Sequence, residues 1–199
     1  MLYGVGINDA WYKTHLTRTI DGKNVHIWRC PFYTAWARII ERGYSDKHDN
    51  RNPSYVSVSV DPTWHKFSAF RIWMENQNWK GMELDKDILF PGNKVYAPDK
   101  CIFVSRQLNS FILDSKASRG KLKIGATYDS STGRIKASCR NPFTGKTENL
   151  GRFDNDVDAH EAWRSRKHQF ACMYADQQSD HRIADALRKR YLKEFYRDQ

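Results

Sequence analysis

Arg134-Ile135-Lys136-Ala137-Ser138-Cys139-Arg140 alternates polar and apolar side chains from end to end. A strand repeats every two residues, so the stretch predicts one face with Arg134, Lys136, Ser138 and Arg140 and another with Ile135, Ala137 and Cys139. Its neighbours predict its partners. Asp129-Ser130-Ser131-Thr132-Gly133 is a turn-forming run. It leads back to a strand over Lys121 to Tyr128, where Lys121 and Lys123 stand opposite Leu122 and Ile124. Asn141-Pro142-Phe143-Thr144-Gly145 makes the next turn and Thr147 to Phe153 a third strand. Asp154 or Asn155 then caps a helix reaching about Asp176, with Ala159, Trp163, Phe170 and Tyr174 as its inward stripe. A three-stranded antiparallel sheet packed on a helix is the expectation. A last helix spaces Ile183, Leu187, Tyr191 and Phe195 four apart, a stripe that docks on the chain itself, on a partner or on a second copy.

The polar face of that sheet is basic. Arg134, Lys136, Arg140, Lys121 and Lys123, with Lys146 and Arg152 from the third strand and the turn before it, form the candidate DNA-binding set. A sheet can enter the major groove of double-stranded DNA, where arginine reads guanine edges and lysine neutralises phosphate. The plainer reading is the wet side of an antiparallel sheet. Composition favours the polyanion: Lys+Arg 33 against Asp+Glu 23 gives +10, and residues 116 to 199 hold 18 basic against 11 acidic side chains.

Composition also excludes classes. At 40% hydrophobic and 14% aromatic, the 199 residues are too rich in core formers for a disordered chain. Apolar runs are only a few residues long, so no bilayer span is expected and no membrane partner with it. Met1 to Trp11 carries no basic segment ahead of an apolar one, and Cys30, Cys101, Cys139 and Cys172 are widely spaced without a CxxC pair. A reduced, cytoplasmic chain is expected. No glycine-rich phosphate loop, serine nucleophile elbow or nucleotide fingerprint appears, so no small-molecule substrate is expected. Cys30 with His26 is too sparse for zinc, Cys101 and Cys139 read as small core residues, and His160 and His168 read as surface. The tryptophans read as core, although Trp11 and Trp28 stand near basic residues that could bring them to DNA.

Asp114 to Gly120 is small, polar and basic, and predicts a boundary between residues 1–115 and 116–199. The first part reads as mixed. Phe32 to Glu41 has helical spacing after Pro31, and Tyr55 to Val60 alternates like a strand. Trp64 to Met74 places Trp64, Phe67, Phe70 and Met74 on one helical face. Glu83 to Asp87 and Cys101 to Val104 are strand candidates around a turn at Pro91-Gly92-Asn93, followed by a helix over Ser105 to Leu113. The fold class is α+β.

Two resemblances sharpen these readings. Ile124-Gly125-Ala126, Arg134-Ile135-Lys136-Ala137, Leu150-Gly151-Arg152-Phe153 and Asp158-Ala159-His160-Glu161-Ala162-Trp163 resemble the plant ethylene-response-factor (Apetala-two) DNA-binding domain, over Ser118 to Asp176. The resemblance implies a sheet that contacts DNA, and the turn at Pro142 to Gly145 is an insertion.

Met82-Glu83-Leu84-Asp85-Lys86-Asp87, Gly92-Asn93, Tyr96-Ala97-Pro98-Asp99-Lys100-Cys101 and Asn109 resemble a phage HNH-type homing endonuclease. Trp36, Arg42, Tyr44, Asn52-Pro53, Tyr55, Trp64 and Phe70 extend the likeness upstream. It implies a ββα-metal nuclease region that cleaves or nicks DNA, in the host cytoplasm if phage-encoded. Phosphodiester cleavage uses a divalent ion and a base that activates water. Magnesium or manganese would then be held by Asp85 and Asn109, with Asp87 adjacent. Lys86 stands where the family has its histidine base, and Lys100 where it has its loop asparagine. Three arrangements answer the replacement. Lys86 takes the catalytic place by orienting water or holding phosphate; His65 folds in as the base; or the centre is inert and the protein acts by binding DNA. Asp85-Lys86-Asp87 also reads simply as a solvated charge cluster at a strand end.

Overall fold

The computed structural model describes residues 1–45, 57–113 and 120–193. The chain is mixed α+β and divides into two compact units, Met1–Ser105 and Arg106–Gln199. Most of the expected 114–120 linker lies outside the described residues, as do Asn52, Pro53, Tyr55 and Phe195. Among the described residues no helix is long and apolar enough to cross a membrane.

Unit 1 opens with strands β1 (His15–Ile20) and β2 (Lys23–Arg29), paired antiparallel, which the sequence patterning did not reveal. Helix α1 (Pro31–Tyr44) comes next, with Pro31 in its first turn, where the missing N–H costs nothing. Its Trp36, Ile39 and Ile40 are buried, and the Trp36 indole donates to the Trp64 carbonyl at 2.7 Å. Strand β3 is Ser59–Val60 among the described residues.

The expected single helix from Trp64 is two pieces. Asp61 caps a 3₁₀ turn over Pro62–His65 through the Thr63 amide at 2.9 Å; Lys66 is extended and bridges Ile7; α2 (Phe67–Glu75) then starts afresh. Trp64, Phe67, Phe70 and Met74 still face one core with Trp36. Strands β4 (Met82–Asp85), β5 (Val95–Tyr96) and β6 (Ile102–Ser105) complete the unit. β4 pairs antiparallel with β6, and β5 pairs parallel with β3.

Unit 2 begins with α3 (Arg106–Ile112). Phe111 of α3 packs on Tyr174 and Tyr191, with centroids 4.9 and 6.0 Å apart, and the Lys167 ammonium lies 3.8 Å from its ring. Strands β7 (Ala126–Asp129), β8 (Arg134–Arg140) and β9 (Thr147–Phe153) form an antiparallel sheet in the order β7-β8-β9. Helix α4 (Asp156–Ala175), capped by the Asn155 side chain on the Asp158 amide, covers one face. Its Ala159, Trp163, Phe170 and Tyr174 are buried as the spacing implied. Helix α5 (His181–Arg190) packs on α4, and Ile183, Leu187 and Tyr191 are buried within this unit.

The first strand of the sheet is shorter than expected. Residues 121–125 are a bent approach rather than a strand, because their backbone is committed elsewhere. The Lys123 amide donates to Asp156 Oδ2 at 3.1 Å, and the Ile124 carbonyl accepts from His160 Nδ1 at 2.9 Å. Gly125 has φ +84° and sits so close to Trp163 that a Cβ there would stand 2.1 Å from the indole Cγ. His160 is therefore a buried clamp between helix and sheet and not a surface residue.

Candidate functional site

The strand period places Ala137 and Cys139 of β8 under α4, both buried, and turns Arg134, Lys136, Ser138 and Arg140 to the other face. Register then selects their neighbours. Residues directly opposite in an antiparallel pair share a face, so Arg152 joins Lys136, Asn149 joins Ser138 and Thr147 joins Arg140. A bulge at Leu150 keeps β9 in step on both sides of it: Ala137 meets Gly151 while Ser138 meets Asn149.

The face is less positive than its sequence. Arg134 pairs with Asp154 at 3.0 Å and Arg152 with Asp129 at 2.8 Å. The Ser131 hydroxyl, 2.6 Å from Asp129, and then the Arg152 guanidinium hold the Asp129 carboxyl well below the usual carboxylate range. Lys136 and Arg140 form no ion pair among the described residues. Lys146 is exposed in the turn after β8. That turn is held by the Asn141 side-chain oxygen, which accepts from the Phe143 and Thr144 amides, and by Phe143 packing 4.8 Å from Tyr174. Lys121 and Lys123 lie on the bent approach, so they do not share the strand alternation that was expected of them.

The second place is the turn after β4. Asp85 and Lys86 are both buried, each 8% exposed, so this is no solvated cluster. Asp85 Oδ1 accepts from the Asp87 amide at 2.8 Å and the Ile88 amide at 2.6 Å, which fixes the carboxylate against the turn. The Lys86 ammonium donates to Asp87 Oδ2 and to the Asn93 carbonyl, both at 2.7 Å. Asn93 closes the loop: its amide nitrogen donates to the Lys86 and Val95 carbonyls at 2.9 and 2.8 Å, and its side-chain oxygen accepts from the Val95 amide at 3.0 Å. Asn93 thus braces this loop, and Lys100 makes no side-chain hydrogen bond to it among the described residues. A Gly-Asn pair ahead of a short strand was the available signal.

His65 is elsewhere engaged. Its Nε2 lies 2.9 Å from the Tyr44 hydroxyl and 3.2 Å from the Val60 carbonyl, and among the described residues it makes no hydrogen bond to Asp85, Lys86 or Asp87. Asn109 is on α3 in the second unit. Cys101, beside this turn, is buried, and burial pushes its thiol up to about 12. Among the described residues no group of three or more His, Cys, Asp or Glu side chains is placed to hold a metal. Magnesium does not require one, since it takes one or two carboxylates and keeps several waters. Asp85, oriented by two amides, fits that donor set, whereas the Asp87 carboxylate is already bridged by an ammonium.

No protein-family model, curated protein or solved structure matches this chain.

Proposed function

We propose that this chain binds double-stranded DNA through the face of the β7-β8-β9 sheet that α4 leaves uncovered. The observation that carries the reading is the pair Lys136 and Arg140: two cations on one strand face, with no ion pair among the described residues. Four residues along a strand span about 13 Å, close to the roughly 12 Å width of the major groove. Arg134 and Arg152 are held in fixed orientations by their carboxylate partners, which suits them to base edges or phosphates at the rim of the contact.

The test is duplex affinity across a salt series for the wild type and Lys136→Ala/Arg140→Ala. Two lost phosphate contacts lower the slope of log affinity against log salt by about 2. An unchanged slope and affinity would remove the sheet from the interface.

A second reading is that the chain also cuts or nicks the DNA it holds, in the manner of a phage HNH-type endonuclease. The oriented Asp85 carboxylate and the Asn93-braced loop favour it. Asp85 would hold a magnesium or manganese ion, which would supply charge stabilisation for the scissile phosphate and leaving oxygen. In this reading Lys86 acts as a cation that sets the loop, because both its donated bonds end on oxygens of the same turn. Incubation of DNA with protein and magnesium, manganese or EDTA, beside Asp85→Ala, decides it. Metal-dependent nicks absent from the variant support cleavage. Intact DNA with binding retained leaves the binding reading alone.

A further inference from the structure

The β1–β2 ribbon has no evident role in the fold that carries it. Every residue of both strands is exposed, on both faces. A two-stranded ribbon without a covered face is marginal in water, and this one is held at its foot. The Cys30 amide donates to the Thr14 carbonyl at 2.8 Å, both residues are buried, and the Tyr12 hydroxyl lies 3.4 Å from Cys30 Sγ. Beyond that foot the strands make an arm of about 20 Å, since six paired residues rise about 3.3 Å each.

Register sorts the two faces of the arm. Leu16 opposes Trp28, Arg18 opposes Val25 and Ile20 opposes Lys23 on one face; His15 opposes Arg29, Thr17 opposes His26 and Thr19 opposes Asn24 on the other. A bulge at Ile27 separates the pairings of Leu16 and Thr17. From Lys13 to Arg29 the cations are Lys13, Arg18, Lys23 and Arg29, against Asp21 alone, and none of the four has an ion pair among the described residues. Elsewhere in the chain arginines are regularly matched: Arg71 to Glu75, Arg164 to Glu161, Arg166 to Glu148 and Arg182 to Asp180. The arm thus concentrates unmatched positive charge on exposed strands. Lysine, charge and a bulge on open strand edges also discourage pairing with a second copy.

We infer that the β1–β2 ribbon is a second DNA-contacting surface, an arm that enters a groove of duplex DNA with the face of Leu16, Ile20, Val25 and Trp28 toward the groove and Arg18, Lys23 and Arg29 on the flanking phosphates. The charge complementarity is the argument for a polyanion. The dimensions are the argument for a duplex, because the major groove admits a two-stranded ribbon. Leu16, Val25 and Trp28, all exposed, then acquire a covered environment against sugar and base edges. The inference rests on the reading of this chain as a DNA-binding protein, but on a surface of the other unit.

The experiment compares the full chain with Arg18→Ala/Lys23→Ala/Arg29→Ala and with Lys136→Ala/Arg140→Ala, binding a labelled duplex over a salt series, with the oligomeric state of each protein measured alongside. The ribbon substitutions leave the unfolding midpoint in place, because the three side chains are exposed and form no ion pair among the described residues. The expected result is a salt slope smaller by about 3, so that the affinity lost between about 50 and about 200 mM salt shrinks by roughly 60-fold. Trp28→Ala weakens binding with the slope kept. A ribbon variant that binds like wild type while the sheet variant is impaired overturns this inference and leaves the sheet reading standing. The reverse supports the ribbon and overturns the sheet. Wild-type protein without duplex affinity in moderate salt overturns both. A wild-type dimer that the ribbon substitutions dissociate, with DNA affinity unchanged, assigns the arm to self-association instead and overturns the inference.

Discussion

Replacing Gly125 by alanine probes how the sheet is seated on α4, and its cost can be worked from two separate terms. The first is conformational. Gly125 has φ +84°, a backbone state that costs an L-residue about 1–2 kcal/mol. The second is steric. A Cβ at this position would stand 2.1 Å from Trp163 Cγ and 2.3 Å from its Cβ, where ordinary carbon contacts are about 3.5–4.0 Å. Trp163 cannot simply step aside: it is buried, stacked on His160 at 5.4 Å and set edge-on to Tyr191 at 6.1 Å. Forcing such a core open costs about 1–3 kcal/mol. The sum, about 2–5 kcal/mol, is a large share of the roughly 5–15 kcal/mol that holds a domain folded.

Gly133→Ala is the matched control. Its φ is +70°, but nothing lies within 4 Å of the added Cβ, so only the conformational term applies. The two units of this chain need not unfold together, so the readout is exchange of the β8 and β9 backbone amides, which reports on unit 2. Gly125→Ala lowers their protection by about 1–3 kcal/mol more than Gly133→Ala, and the excess shrinks without vanishing on a Trp163→Ala background, because alanine removes the indole but keeps the Cβ that would stand 2.3 Å away. Equal effects of the two alanines, within about 0.5 kcal/mol, would show that Trp163 is not what Gly125 makes room for.

Asn93→Ala removes three hydrogen bonds that close the loop after β4, at about 0.5–1.5 kcal/mol each, so the Val95 amide exchanges faster by a factor equivalent to about 2–4 kcal/mol. Unchanged exchange at Val95 would mean the β3–β5 pairing alone holds the loop. Alkaline stability reports on Cys101. Its folded value, about 12, lies above its ordinary value near 9, so its contribution is complete below about pH 9 and is lost as pH rises toward 12. At about 1.36 kcal/mol per unit the loss reaches about 4 kcal/mol, and denaturant midpoints of Cys101→Ala against pH are flatter than wild type over that interval. Parallel curves would place the burial cost elsewhere.

The elements that patterning located well are those whose signals are local. Strand β8 begins and ends where alternation does, β9 spans the stretch expected after the turn, and Asn155 caps α4 through an amide three residues on, a contact that needs no third element. The basic face was legible for the same reason, since a period of two assigns sides without any knowledge of neighbours. Its effective charge was not, because the partners of Arg134 and Arg152 are Asp154 and Asp129, brought alongside only by strand register and the bulge at Leu150. Likewise the approach at 121–125 reads as a strand until His160 and Asp156 take its backbone groups.

At the candidate centre, the residue types of Asp85-Lys86-Asp87 were plain in the sequence, but their burial and bonding depend on a loop that returns to them. The lysine is bonded at Asn93, and that loop is pinned in turn by the parallel pairing of β5 with β3. The ribbon of β1 and β2 escaped notice because Arg18 and Lys23 interrupt its apolar face and the bulge at Ile27 breaks the period of β2, with no core to enforce alternation. Sequence alone located β8, β9 and α4, where a buried face or a local cap marks the element, but not the break at Lys66 within the buried stripe from Trp64 to Met74. Tertiary structure alone decided which charges remain unmatched and which residues brace the turn, because those depend on groups distant in the chain meeting at hydrogen-bond range.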